Sequence, residues 1–208
     1  MKLYYSPGAC SLAPHIALSE SGIPFDAVKV DLRTHQLADG TDYYTINPKG
    51  YVPLLELASG ERLSEVAVIL QYIADLRPGT IAPAIGTMER YRVMESLNFI
   101  ATEVHKQYGP LFYPDTPEAT KEKQRATLAK RFDLIAPTLA KQPYLTGESF
   151  TIADAYLFTV VRWAGVVKFD LSRWPALEQF QKRVAERPQV HAALKAEGLV
   201  KDPVPATA

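Results

Sequence analysis

The single cysteine of the 208-residue chain lies in Ser6-Pro7-Gly8-Ala9-Cys10-Ser11, between a short apolar run and a helical one. Pro7 and Gly8 break the strand-like pattern of Leu3-Tyr4-Tyr5, and the run Leu12 to Ser21 follows until Gly22-Ile23-Pro24 stops it. A thiol at such a strand-turn-helix junction meets unpaired backbone N–H groups and the positive end of the helix macrodipole, which favour its thiolate. The same N–H groups would receive an anion from solution, another molecule's thiolate included. Two readings stay open for Cys10: a reactive thiol, or one more small buried hydrophobe. Further along, Asn98, Thr102 and His105 recur at i, i+4 and i+7, so a helix would carry them on one face with Lys106 beside it. On residue types alone, that stripe equally suits a solvated helix surface.

Charge and cysteine usage narrow the classes of function. Lysine plus arginine and aspartate plus glutamate are both 23, so no basic excess favours nucleic acid and no polybasic stretch favours an anionic membrane. Small-molecule partners are expected. One cysteine excludes an internal disulfide framework, Met1-Lys2-Leu3-Tyr4-Tyr5 lacks the apolar core of a signal peptide, and no segment has the uninterrupted apolar length of a membrane span. A soluble protein of the reducing cytoplasm is the expectation.

The elements that would position these residues fall into two halves. After the first helix, Ala27 to Leu32 alternates as a strand, which makes a strand-helix-strand unit of the kind that builds parallel sheets. Residues 33–45 read as a loop with a short helical turn near Asp42-Tyr43-Tyr44. The turn-rich Asn47-Pro48-Lys49-Gly50-Tyr51-Val52-Pro53 precedes a hairpin through Leu54-Leu55-Glu56-Leu57, Ser59-Gly60 and Arg62-Leu63, with Pro53 at a position that suits a cis bond. Ser64-Glu65 opens a helix bearing Val66, Ile69, Leu70, Ile73 and Leu76, which Pro78-Gly79 ends.

Beyond Gly86 the strand signals largely vanish. Met88 to Lys106 reads as one long helix that Gly109-Pro110 bends or ends, and another runs from Glu118 to Lys141. Thr151 and Asp154 resemble a capping box with Phe150 as a hydrophobic staple, and Ala155 to Val167, apolar almost all round, should be the buried centre of this half. Helices over Pro175–Glu186 and Pro188–Glu197 complete it. No internal repeat or low-complexity segment is present.

A thiol at a β1-α1 turn, a proline opening the third main strand and an all-helical second half resemble the cytosolic glutathione transferase family, and more narrowly its bacterial beta class. The resemblance runs end to end. It is carried by Lys2-Leu3-Tyr4-Tyr5, Pro7-Gly8-Ala9-Cys10-Ser11-Leu12, Pro14-His15-Ile16, Asn47-Pro48-Lys49-Gly50 and Val52-Pro53, and then by Asn98 to Ala101, Glu103 to Lys106, Phe150 to Phe158 and Glu186-Arg187-Pro188. It implies an α/β thioredoxin-like N-terminal domain (βαβ-α-ββα) over residues 1–79, a linker over 80–87, an all-α C-terminal domain over 88–200 and a flexible tail over 201–208. It also implies a homodimer that uses glutathione as co-substrate, without a metal, to attack hydrophobic electrophiles in detoxification. By analogy Cys10 and its N–H lie next to the glutathione sulfur, and His105 is the class histidine near that sulfur, where imidazole can donate to a thiolate or move a proton. Val52, exposed by the Pro53 turn, would pair through its backbone with the cysteinyl part of the tripeptide. Glu65 would take the γ-glutamyl ammonium, and Lys106 would add positive charge. Asn98 and Glu103 would reach the neighbouring subunit's glutathione.

Other classes of the family use an N-terminal tyrosine or serine hydroxyl, which makes Tyr5 and Ser11 rival activators of the thiol. Strand alternation points Tyr4 and Tyr5 to opposite faces, core packing suits either, Ser11 suits a helix cap, and His15 suits a packed, hydrogen-bonded role. Three positions depart from the family pattern. His35 stands where a lysine commonly holds the glycyl carboxylate, Val66 where serine or glycine follows the glutamate, and Tyr51 at a position often glutamine, where an aromatic ring would cover or block the ligand. Weakened glutathione binding is therefore expected. The alternatives are thiol-disulfide exchange through Cys10, resolved by glutathione because no C-x-x-C partner exists, and a non-catalytic ligand-binding or stress protein on the same fold.

Overall fold

In the computed structural model, which describes residues 1–200, the first strand sorts its side chains by alternation, as a pleated strand must. In β1 (Lys2–Tyr5), Leu3 and Tyr5 enter the main hydrophobic core, whereas Tyr4 points the other way into a smaller cluster with Val30, Tyr43, Val52 and Leu54. The expected tail, residues 201–208, lies outside the described residues.

β1 is the centre of a five-stranded mixed sheet. It pairs in parallel with β2 (Asp26–Asp31), Leu3 opposite Ala27, through the crossover helix α1 (Leu12–Glu20). On its other side it pairs antiparallel with β4 (Leu54–Glu56), Leu3 opposite Leu55, and β4 turns back into β5 (Arg62–Ser64). Sheet order is β3-β2-β1-β4-β5. The strand β3 (Gln36–Leu37) corrects the loop expected over residues 33–45: Gln36 and Leu37 fold back on Asp31 and Val30 as a hairpin. Two residues cannot display a period of two, so the sequence carried no signal for them. The helical turn expected near residues 42–44 is a 3₁₀ turn over Tyr43–Thr45, begun by the Asp42 carboxylate accepting from the Tyr44 N–H at 2.9 Å. The Val52–Pro53 peptide bond is cis.

Pro14 sits in the first turn of α1, where its missing N–H would have been unpaired in any case. That helix buries Leu12 through Leu18 between α2 (Val66–Leu76) and the helical half. There, α3 (Met88–Phe99) passes through a π-helical segment, Ile100–His105, into α4 (Lys106–Phe112). Pro110 lies inside α4, so the irregularity falls upstream of the Gly109-Pro110 break expected from the sequence. Next come α5 (Glu118–Leu139), α6 (Ile152–Val166), α7 (Pro175–Ala185) and α8 (Pro188–Ala196).

Helix α6 is buried on nearly every face and starts with the expected capping box, the Thr151 N–H donating to the Asp154 carboxylate at 2.8 Å. The other Asp154 oxygen accepts from the Leu145 N–H, and burial raises this carboxyl to about 6. The two halves are bound to each other at several points. The Ile152 N–H donates to the Ile81 carbonyl at 2.9 Å, and Arg187 makes two 2.7 Å bonds to Glu20 while lying over the Phe150 ring. Arg90, itself buried, reaches Asp75 at 2.8 Å.

Candidate active site

Cys10 occupies the turn between β1 and α1, as the strand-turn-helix pattern implies, and its half-buried thiol is tied to the backbone of another segment. The Sγ–H donates to the Val52 carbonyl at 3.2 Å. Burial pushes the thiol up to about 12, against the lowering by the backbone N–H groups of Cys10 and Ser11 and by the Lys106 charge. The thiolate expected from the helix N-terminus is thereby corrected. N–H donors do act on the sulfur, yet they recover only part of what is lost when it leaves water, and Glu65 opposes them further.

The turn around Cys10 is fixed from three directions. Ser11, fully buried, accepts from the Ser6 N–H at 3.1 Å and donates to the Ser6 carbonyl at 3.2 Å. It therefore neither caps α1 with its side chain nor has a hydroxyl to spare for a thiol. Gly8 is held on both sides of its backbone. Its N–H donates to Glu197 at 2.9 Å, and its carbonyl accepts from the Trp163 indole N–H at 2.8 Å. The second Glu197 oxygen meets His15 Nδ1 at 2.9 Å, both side chains being almost wholly buried. At Gly8 φ is +72°, so a side chain there would be strained by the backbone, although an added Cβ would meet only Leu199 at ordinary contact distance. Tyr5 packs edge-on against His15 in the core, as its strand position implies.

Across the cleft, the π-helical segment re-aims His105. An i→i+5 closure widens the turn, so residues after it leave the face that a regular helix would have given them. The shared polar face of Asn98, Thr102 and His105 is thus corrected. Asn98 and Thr102 are exposed, with Asn98 donating to its own helix at Met94, whereas His105 turns inward and its Nδ1 lies 2.7 Å from the Tyr156 hydroxyl. The Trp163 ring meets His105 edge-on at 4.8 Å. Burial, helped by the neighbouring Lys106 charge, lowers the imidazole to about 4, so it is neutral at pH 7. Burial likewise drives the Tyr156 phenol far above its ordinary range. Glu65 and Lys106 act electrostatically on both Cys10 and His105, so the four groups lie within range of one another's charge. Lys106 is exposed. Glu103 pairs with Arg131 of its own chain at 2.6 Å, a use the sequence did not suggest.

Glu65, at the N-terminus of α2, has φ +72°, a conformation that costs a non-glycine residue about 1–3 kcal/mol. Its carboxylate is exposed and pairs with Lys49 at 3.3 Å, while Lys49 also donates to Ser64 at 3.1 Å. Val66 opens α2 as a buried core residue. His35, at φ +53°, stacks at 4.5 Å on Tyr44, and its buried Nδ1 has no partner among the described residues. The Tyr51 side chain is 71% exposed, and the Tyr51 carbonyl accepts from Tyr43 and Asn47.

Tyr156, Trp163 and Glu197 escaped the sequence reading. A usable signal existed for the first two: they are polar-tipped aromatics at i and i+7 on an otherwise apolar helix, hence on one face and in need of partners. Glu197, just before the helix-ending Gly198, carries no local signal of its burial. A groove of about 490 Å³ between α5 and α7, beside Asp133, Pro137 and Trp174, is separate from this cleft and lacks a reactive group. Among the described residues no cluster of His, Cys, Asp and Glu could hold a metal ion, and no helix is long and apolar enough to cross a membrane.

Comparison with known proteins identifies the family. Residues 8–76 match the model of the glutathione S-transferase N-terminal domain, and residues 99–188 match that of the C-terminal domain. The chain is 50% identical over 201 residues to the glutathione S-transferase GstA of Escherichia coli O157:H7, covering 96% of this chain and all of that one. It superposes with a TM-score of 0.94 and 50% identity on the bacterial glutathione transferase BphK, solved as a ternary complex, over 96% of this chain and all of that one. On a sphingomonad glutathione S-transferase solved with glutathione, the TM-score is 0.92 at 45% identity, over 96% of this chain and all of that one. Matches to both domain models and half identity to a glutathione S-transferase over nearly the whole chain place this chain in the glutathione S-transferase family.

Proposed function

We propose that the chain is an enzyme that joins the glutathione thiolate to hydrophobic electrophiles at the cleft between Cys10 and His105. The observation that carries this is the convergence of a thiol held on the Val52 carbonyl, a neutral imidazole and the Glu65 and Lys106 charges, contributed by four different segments. Residues 1–79 form the glutathione-holding domain, 80–87 the linker and 88–200 the domain that shapes the electrophile pocket. Glutathione brings two carboxylates, one ammonium and a thiol. Glu65 takes the ammonium after releasing Lys49, and the N–H groups at the start of α2, Val66 first, take the γ-glutamyl carboxylate. Val52 pairs with the cysteinyl backbone next to the cis Pro53, displacing the Cys10 thiol from its carbonyl. His35 lies toward the glycyl carboxylate. The sulfur then rests between the N–H of Cys10 and His105, where fixed donors stabilise negative charge better than water does.

Lys106 adds positive charge at the rim, and the aromatic edges of Tyr108, Phe112 and Trp163, in mutual contact, supply an apolar wall for the electrophile. The chain acts as a homodimer in the cytoplasm, with Asn98 close enough to a second copy to meet its ligand. Exchange chemistry through Cys10 is less well supported, since a thiol raised to about 12 holds almost no thiolate at neutral pH.

Each charged hydrogen bond missing at His35 and Val66 costs about 1.5–3 kcal/mol of binding, so the pair weakens glutathione by about a hundredfold or more. Calorimetric titration of the wild type and Val66→Ser, with conjugation of an aryl halide followed in parallel, tests both points. Binding and turnover by the wild type, tightened in Val66→Ser, support the enzyme and its tuned affinity. Absence of binding in both variants removes the catalytic assignment.

A further inference from the structure

The contact between Tyr156 and His105 has two possible directions, and only one leaves no buried donor stranded. The phenol is 2% exposed, and its oxygen meets His105 Nδ1 at 2.7 Å with no second protein partner among the described residues. If Nδ1 carried the ring hydrogen and donated to the phenol, the Tyr156 hydroxyl hydrogen would have no acceptor inside α6, and an unmade buried hydrogen bond is the costlier outcome. If Tyr156 donates instead, both groups are satisfied. The ring hydrogen must then be on Nε2. That nitrogen has no protein partner, yet it is not enclosed, so solvent reaches it.

We infer that Tyr156 is a positioning residue for the transferase reaction: by donating to Nδ1 it locks His105 as the Nε2–H tautomer and aims that N–H as a hydrogen-bond donor into the cleft. His105 in this state is a donor to the glutathione sulfur and has no lone pair facing it, so the thiol proton leaves to solvent and does not pass to the imidazole. Two further constraints hold the ring in place. The Trp163 ring packs edge-on against His105 while its indole N–H grips the Gly8 carbonyl, so one face of α6 sets both the imidazole and the Cys10 turn. The buried environment also keeps the phenol protonated and the imidazole uncharged, the pair of states this bond needs. The inference rests on His105 facing the sulfur, as proposed above, but the tautomer itself does not depend on turnover.

The test uses the full chain labelled with nitrogen-15 in its four histidines, the His105 signals being assigned by their loss in His105→Gln. Nitrogen shifts at pH 7 should report an unprotonated Nδ1 and a protonated Nε2, and Tyr156→Phe should mix the tautomers. In parallel, Tyr156→Phe should lower kcat for aryl halide conjugation about fivefold to tenfold, the loss of one aligned hydrogen bond, with KM for glutathione unchanged. His105→Gln, whose amide carries an N–H at the reach of Nε2, should retain more turnover than His105→Ala. A hydrogen on Nδ1 in the wild type overturns the inference whatever the activity, and so does an unchanged tautomer in Tyr156→Phe. The wild-type tautomer is read whether or not Tyr156→Phe folds. If the wild type shows the Nε2–H form but His105→Ala turns over normally, the tautomer stands and the role of His105 in the reaction falls.

Discussion

The floor of the cleft and its rim are built in opposite ways. At the floor, Gly8, Ser11 and His105 are held by Glu197, Trp163, Ser6 and Tyr156, through hydrogen bonds that are part-buried and, for Glu197 and Trp163, span more than 150 residues of chain. At the rim, Glu65 pairs with Lys49 through side chains 69% and 54% exposed, Tyr51 projects into solvent and Asn98 bonds only to its own helix. Buried contacts made once and not exchanged with water keep a catalytic geometry fixed before the substrate arrives. Exposed ones release cheaply, which suits groups that must let go of each other to take a charged tripeptide. The floor should therefore govern stability and kcat, and the rim affinity.

The largest effect that would separate the two belongs to Glu197. Its replacement by alanine leaves the Gly8 N–H and the buried His15 without a partner, and each buried donor left unmade costs about 1–3 kcal/mol. A denaturant midpoint for Glu197→Ala within the error of the wild type would mean that the floor is not held from α8. Next is the pH dependence of His105. Its ordinary value of 6.5 falls to about 4 in the folded chain, so between these values the unfolded chain binds a proton that the folded one refuses. Stability is fully present above pH 6.5 and lost as pH falls toward 4, by about 3 kcal/mol. The raised Asp154 carboxyl acts in the opposite sense over the same range in both proteins, so the measure is the difference: in denaturation curves at about pH 7.5 and 4.5 the wild type should lose about 3 kcal/mol more than His105→Gln, and equal changes would put His105 in a wetter site. The smallest effect is expected at the rim. Lys49→Ala should change stability by less than about 1 kcal/mol and tighten glutathione by about fivefold at most, since it frees Glu65 from an exposed pair. A calorimetric titration showing weaker binding would make Lys49 a ligand of glutathione, not a competitor for Glu65.

How much of this could be read in the sequence differs between the two regions for the same reason. Rim residues were legible because they are local: Glu65 at a helix start, Val52-Pro53 in a turn-rich stretch, His35, Tyr51 and Val66 as departures from a recognisable pattern. What the structure added there was direction, with the Tyr51 ring turned out to solvent and Lys49 drawn on to Glu65. At the floor the sequence supplied Cys10 and its junction but not the balance of forces on the sulfur. The field of a helix N-terminus is a local property. Burial of the thiol against Val52, 42 residues away, is not, and burial wins. The same distinction covers Ser11, whose type suits a cap but whose hydroxyl is spent closing the turn on Ser6.

By itself the sequence determined the elements that short-range chemistry controls. Alternation sent Tyr4 and Tyr5 to opposite faces, the Thr151-Asp154 box started α6, prolines opened α7 and α8, and the apolar run Ala155 to Val167 marked the buried helix. These are set by periods and caps within a few residues, where side-chain type fixes the outcome. Only the tertiary structure decided that a π-helical segment turns His105 inward, that Tyr156 receives it, and that Glu197 and Trp163 clasp the two sides of Gly8. Each of those is a satisfaction of buried polar groups by partners far away in the chain, and no local pattern names the partner until the core has closed around it.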